Sequence, residues 1–208
     1  MTQTLERPGF SLTVEGKECF ATELYSARQI QEGIEEMGAQ LAGEYQDAPY
    51  VVMVPILQGA INYAVALRNA MKRAGAPPIV MEGMRASSMD KTRSTGTVKI
   101  IKDLIRNPAG EDLLFVDDIF DTGLTLRGIV RHVGGSNPKS MRVTTLLDKP
   151  SDLRIPGAVE EIGGVATVFT MEEPSFVIGF GLDYEEEYRG LDYIARVRMP
   201  LPGGGFEE

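Results

Sequence analysis

Cysteine and histidine are nearly absent from this chain: its 208 residues hold one of each, Cys19 and His132. A lone cysteine excludes an internal disulfide, and a single histidine leaves no Cys/His cluster to hold zinc. Both point to a reducing, cytoplasmic setting. Long apolar runs are missing too. None approaches the roughly 20 residues that span a bilayer, and the segment Met1–Phe10 lacks a signal-peptide pattern. No membrane role is expected. Positive charge is scarce, with 21 Lys and Arg against 30 Asp and Glu. The resulting net charge of −9 argues against a nucleic-acid partner. What remains, 43% hydrophobic and 25% charged residues, suits one soluble α/β domain with a substantial core.

The most informative stretch is Leu113-Leu-Phe-Val-Asp-Asp-Ile-Phe-Asp-Thr-Gly-Leu-Thr-Leu126. Leu113 to Val116 is a short apolar block, the pattern of a strand buried on both faces, and it ends in two carboxylates, Asp117 and Asp118. A turn follows, Asp121-Thr122-Gly123-Leu124-Thr125, and then Leu126, Ile129, Val130 and Val133 recur at helical spacing. The acids therefore stand at the carboxyl end of a central strand, where open α/β sheets bind ligands. Gly123 permits close backbone approach, Thr122 and Thr125 offer hydroxyls, and the helix start offers unpaired amides. Such a cup takes phosphate, while the neighbouring acids suit ribose hydroxyls and a divalent cation. Together they describe a sugar-phosphate site. Taken singly the same residues read as a strand end and an N-cap, because Asp commonly caps helices.

Elsewhere the residues outline a βα pattern. Phe10–Val14 alternates weakly, as in a short strand or hairpin, and Ser26-Ala27-Arg28-Gln29 matches a capping box opening a helix to about Glu44. Tyr50–Leu57 reads as a second buried strand, followed by a helix from Ala60 to Ala74 that stops at Gly75. Pro77–Met84, Thr97–Ile101, Met141–Leu147 and Tyr193–Met199 read as further strands, and Arg85–Gly96 as a long polar loop. His132 lies on the helix after the cup, where a structural or solvent-facing role is expected. No internal repeat is present.

Val116-Asp-Asp-Ile-Phe-Asp-Thr-Gly-Leu-Thr125 resembles the phosphoribosyl-pyrophosphate (PRPP) motif of the type I phosphoribosyltransferases. A receiver domain and a haloacid dehalogenase place their paired acids differently. The resemblance spans roughly residues 20 to 199 and is closest to the hypoxanthine-guanine enzymes. It implies a mostly parallel sheet flanked by helices, in a single domain over 1–208. A small hood over the base site would come from the N-terminal segment and part of 150–208, with 202–208 a loose tail.

The resemblance also implies roles. Leu57-Gln58-Gly59 corresponds to the pyrophosphate loop, in which Lys is common at the middle position and Gln58 brings no charge. Ser88-Met89 and Ser94-Thr95-Gly96 correspond to a mobile lid, with Met89 in place of a Tyr. Arg189 would reach pyrophosphate. Lys149, in Leu-Leu-Asp-Lys-Pro, would hydrogen-bond a 6-oxopurine; an ammonium only donates, so it rewards a carbonyl and penalises an amino group. Phe176 would stack on the base, Val177 would read its edge through the backbone, and Asp183 would join the purine site and help hold a metal. Asp117 and Asp118 would hold the ribose hydroxyls and Mg²⁺, with the 5-phosphate on residues 121–125. Asp121 would accept the proton of the attacking base. The implied reaction joins PRPP and a 6-oxopurine into a mononucleotide with release of pyrophosphate, in a homo-oligomeric enzyme. Two alternatives stand beside it, a PRPP-sensing regulator without catalysis and a transferase for another base such as xanthine.

Overall fold

The computed structural model describes residues 9–87 and 98–200. Met89, Ser88 and Ser94-Thr95-Gly96 of the implied lid, and the tail 202–208, lie outside the described residues. The chain forms two compact units, one of Gly33–Glu173 and one that joins the two ends, Met1–Glu32 and Pro174–Glu208.

The first strands make a hairpin: β1 (Phe10–Val14) pairs antiparallel with β2 (Lys17–Tyr25), Val14 opposite Lys17. Glu15 and Gly16 form the two-residue loop with φ of 51° and 77°, the left-handed pair that matches strand twist. Helix α1 (Ala27–Glu44) then opens on the expected capping box. The Ser26 amide donates to Gln29 Oε1 at 2.9 Å, and the Gln29 amide donates back to Ser26 Oγ at 3.3 Å.

The larger unit is a parallel sheet. Strand β3 (Val51–Pro55) leads through α2 (Ile61–Arg73) to β4 (Ile79–Met81), and Gly75 closes α2 with φ of 86°. A short antiparallel pair follows, β5 (Arg85–Ser87) with β6 (Lys99–Lys102). The start of the polar segment expected to be loop is thus a strand, held by a partner that period alone does not reveal. Next come β7 (Asp112–Phe120), α3 (Leu124–Gly134), β8 (Ser140–Asp148), α4 (Ala158–Ile162) and β9 (Ala166–Thr170). The sheet order is β4-β3-β7-β8-β9, with every neighbouring pair parallel. Val51–Val54 and Leu113–Val116 are fully buried, which is why these strands read as unbroken apolar runs. Leu126, Ile129, Val130 and Val133 of α3 pack with Val52, Val54, Leu113 and Phe115 in one core. The chain runs outward from β3 to β4 on one side and from β7 to β9 on the other, so the order reverses between β3 and β7. That reversal opens a crevice at the carboxyl ends of these strands.

The sequence does not announce α4 or β9. Helix α4 has five residues, too few for a period, and β9 is a half-exposed edge strand without alternation.

In the terminal unit, β10 (Phe176–Ile178) and β11 (Ile194–Arg198) complete an antiparallel sheet of order β1-β2-β11-β10. Leu12, Cys19, Ala21, Ile178, Ala195 and Val197 form its core. Strand β10 stops at Ile178. Gly179, Phe180 and Gly181 follow with φ of 99°, 49° and 106°, a succession no strand accommodates.

Candidate active site

Strand β7 does not end at the acids. It runs on to Phe120, because β8 continues beside it and pairs Thr145 with Asp117, Leu147 with Ile119 and Asp148 with Phe120. Its other neighbour stops earlier, at Pro55 opposite Val116. Asp117 and Asp118 therefore lie within the strand, on the stretch that overhangs the crevice. Asp117 is only 9% exposed. Burial pushes its carboxyl well above the usual carboxylate range, and the neighbouring charge of Asp118 pushes in the same direction. Asp118 is half-buried; its amide donates to Asp117 Oδ1 at 3.1 Å, and the Ile119 amide donates to Asp118 Oδ1 at 2.9 Å.

This environment sets a pH dependence. Asp117 holds its proton to higher pH in the folded chain than in the unfolded one. Its protonated form thus stabilises the fold in acid, and that contribution is lost as pH rises through the folded-state pKa. The near-isosteric Asp117→Asn protein, which cannot ionise there, is expected to gain melting temperature over the parent, and the gain is expected to widen from acid to neutral pH. A gap that narrows over that range in thermal melts refutes the upward shift at Asp117.

The turn after β7 is closed by a glycine and opens directly on a helix. Gly123 is the N-cap of α3, with φ of 80° and no side-chain cap hydrogen bond. Asp121 consequently does not cap the helix, and its half-buried carboxyl is left for other work. A Cβ at Gly123 would lie 2.9 Å from the Ala158 Cβ and 3.1 Å from the Phe120 ring, so only glycine closes this turn. Thr122 Oγ1 accepts from the Leu124 amide at 3.3 Å. Thr125 and Leu126 stand in the first helical turn, where amides have no carbonyl of their own helix to bond, and no acid occupies that turn.

The loop after β3 meets this strand across the crevice. Gln58 is exposed, and the Leu57–Gln58 peptide is cis. The Leu57 amide donates to Met84 O at 2.8 Å, and the Ile61 amide to Gln58 O at 3.1 Å. Gly59 sits against Asp118 so closely that a Cβ would fall 1.7 Å from Asp118 Oδ2. The residues expected for pyrophosphate and for ribose are thereby neighbours.

At the end of β8, Lys149 Nζ lies 3.5 Å from Asp121 Oδ2, and the Lys149 amide donates to Phe120 O at 2.9 Å. Arg154, for which the sequence offers no motif, reaches into the same loops with its Nε 3.1 Å from Asp121 O. His132 makes a surface contact to Asp103 at 2.6 Å, well along α3 from the cup, as expected.

The terminal unit carries the remaining candidates. Phe176 is 40% exposed and meets Tyr184 edge-on at 5.9 Å, which leaves ring surface accessible. Val177 is buried in β10. Asp183 and Arg189 form an ion pair at 2.9 Å, and Arg189 also bonds Glu186 and the Gly181 carbonyl. The second Asp183 oxygen accepts from the Glu186 amide at 2.9 Å. Both oxygens of that carboxylate are therefore engaged. Among the described residues no three His, Cys, Asp or Glu side chains gather into a metal site made by protein alone.

Comparison with known proteins gives the family and agrees with the fold. The phosphoribosyl transferase domain matches residues 21–185. A hypoxanthine-guanine phosphoribosyltransferase of Mycobacterium tuberculosis (strain CDC 1551 / Oshkosh) is 37% identical over 178 residues, covering 82% of this chain and 83% of that one. The enzyme of the same name from Bacillus subtilis (strain 168) is 38% identical, covering 82% and 89%. Among solved structures, the hypoxanthine phosphoribosyl transferase of Trypanosoma cruzi superposes with a TM-score of 0.76 at 28% identity, over 85% of this chain and 91% of its own. With its parallel sheet, its acid-bearing strand and its glycine-closed cup, the chain belongs to the hypoxanthine-guanine phosphoribosyltransferase family of type I phosphoribosyltransferases.

Proposed function

We propose that this chain is a pentosyltransferase that moves the 5-phosphoribosyl group of PRPP to a 6-oxopurine, giving IMP or GMP and pyrophosphate in purine salvage. The observation that carries the reading is the Asp121–Lys149 pair, 3.5 Å apart beside the cup. A 6-oxopurine in its N7–H tautomer presents an acceptor, O6, next to a donor, N7–H. Lys149 supplies the donor for O6 and Asp121 the acceptor for N7–H. Adenine turns an amino group toward the same lysine, and the unmatched donors disfavour it.

In the proposed reaction N9 of the base attacks the anomeric carbon of the ribose. The bond from that carbon to pyrophosphate oxygen breaks, and its electron pair leaves with pyrophosphate. The N7 proton passes to Asp121 as the nitrogen lone pair is used. Positive charge builds on the sugar, and Asp118, joined by Asp117 once that carboxyl ionises, favours it while the two hold the ribose hydroxyls. The amides and hydroxyls of residues 121–125 take the 5-phosphate; the family resemblance gives Leu57–Gly59, Ser88-Met89 and Arg189 roles toward pyrophosphate and Phe176, Val177 and Asp183 roles toward the base.

Magnesium belongs to the same proposal. A cation that shares its shell with substrate phosphates needs only one or two protein carboxylates, so the lack of a closed acidic cluster among the described residues fits it. Asp117 and Asp118 would hold it with PRPP, and the family resemblance gives Asp183 as a further ligand. When bound, Mg²⁺ supplies charge neutralisation at pyrophosphate.

A cytoplasmic homo-oligomer completes the reading. Its only cysteine is buried and free. Among the described residues no helix is long and apolar enough to cross a membrane.

The alternative, a PRPP sensor, has the uncharged Gln58 in its favour. It gives no reason for a proton acceptor paired with a lysine beyond the phosphate cup. Steady-state turnover with hypoxanthine, guanine, xanthine and adenine, each with PRPP and Mg²⁺, is expected to show activity with 6-oxopurines and none with adenine. PRPP binding by calorimetry without turnover of any base selects the sensor, and no binding removes both.

A further inference from the structure

We propose that Arg154 is the positioning residue that sets the spacing of Asp121 and Lys149, and through it the recognition of the O6/N7 edge. The inference rests on the roles given to that pair. Asp121 follows β7 and Lys149 follows β8; the strand pairing ends at Phe120 opposite Asp148, and neither strand holds the Asp121 and Lys149 carbonyls that come after it. Arg154 does so from a third segment. Its Nε donates to Asp121 O at 3.1 Å. Its Nη2 donates to Lys149 O at 2.7 Å, with Phe120 O at 3.2 Å and Asp148 Oδ1 at 2.5 Å as further acceptors. The guanidinium lies 4.5 Å over the Phe120 ring.

One planar cation thus joins the main chain of both functional residues. It touches neither functional side chain, so it acts only through their backbones. Two amide bonds brace the assembly, Lys149 N to Phe120 O and Ile155 N to Thr122 O, both at 2.9 Å. Lysine is no substitute here. A guanidinium presents a rigid fork and a flat face to the ring, whereas an ammonium is a point charge that cannot serve acceptors on both loops and stack as well. The Asp148 carboxylate pairs with its charge.

The test compares Arg154→Ala and Arg154→Lys with the parent enzyme, with hypoxanthine and adenine as bases, and adds guanidinium chloride at non-denaturing millimolar concentration to Arg154→Ala. A displacement of about 1 Å in a reacting group costs about a hundredfold. Both variants are expected to lose about that much in kcat/KM for hypoxanthine, while KM for PRPP stays as in the parent. The ratio of hypoxanthine to adenine turnover is expected to fall in both, and guanidinium to restore part of kcat in Arg154→Ala. Should Arg154→Ala not fold, Arg154→Lys carries the comparison. A lysine variant with parental kcat/KM and base preference overturns the inference, as does a loss confined to melting temperature or shared equally by KM for PRPP. Parental behaviour of both Arg154 variants beside an impaired Asp121→Asn protein overturns this inference alone. A parent enzyme that turns over no base overturns the functional reading and this inference with it.

Discussion

Asp121→Asn is expected to lower kcat for hypoxanthine by roughly 10²–10⁴-fold, the usual contribution of a positioned general base, while KM for PRPP changes little. The amide keeps the size and shape of the carboxyl but cannot accept the N7 proton. The structure makes this substitution a clean one. The side chain caps no helix, since Gly123 is the N-cap, and its backbone carbonyl is held independently by Arg154. Steady-state kinetics with both substrates varied separates the two parameters. Equal damage to kcat and to PRPP affinity would return Asp121 to the role of a scaffold for the cup. An additional signature is expected in base preference. Asparagine at 121 retains hydrogen-bonding ability beside Lys149, so the preference for a 6-oxo group is expected to survive the loss of rate.

Gly59→Ala is expected to be nearly as damaging, for a steric reason. The added Cβ would stand 1.7 Å from Asp118 Oδ2 and 2.6 Å from its Cγ. No pair of atoms tolerates that approach, so either the acid swings away from the crevice or the Leu57–Ala60 turn retreats. Either movement separates the pyrophosphate side of the site from the ribose side. A fall of about a hundredfold in kcat/KM is expected from misplacement on this scale, with about 1–3 kcal/mol of stability lost to overpacking. The decisive control is the double variant Gly59→Ala with Asp118→Ala. Removing the carboxylate clears the clash, so stability is expected to return while activity does not. Thermal melts and kinetics on the single and double variants measure this coupling directly. Additive stability losses would show that Gly59 and Asp118 do not meet as described.

The two substitutions differ in how visible their targets are in the sequence. Asp121 belongs to a contiguous motif in which strand, acids, glycine turn and helix follow one another, so local pattern exposed both the phosphate cup and the candidate base. By local pattern Gly59 is a glycine after a strand like many others, and only the resemblance of Leu57-Gln58-Gly59 to a pyrophosphate loop sets it apart. Its importance depends on Asp118, 59 positions further along, and on β3 lying beside β7 where the sheet reverses direction. Arg154 is the extreme case. A lone arginine in a Pro-Ser-Asp-Leu-Arg segment has no pattern at all, and only the folded loops give it its acceptors. The strand boundaries follow the same division. The apolar run Leu113–Val116 was readable as a buried strand, but its continuation through Asp117 and Asp118 depends on β8 supplying partners to polar residues.

Order along the chain was therefore enough to mark the long elements, α1 to α3 and the buried strands, and the kinds of side chain available to the chemistry, because periodicity, capping and turn preference act between residues a few positions apart. The short α4, β5 and β9 lay beyond it. Folding in three dimensions chose which of those side chains meet: Gly59 with Asp118, Lys149 with Asp121, Arg154 with both loops, and Asp183 with Arg189. Those contacts arise from strand order and loop packing among residues remote in sequence. The same folding buried Asp117 and so raised its affinity for a proton, a property that belongs to its surroundings rather than to the residue.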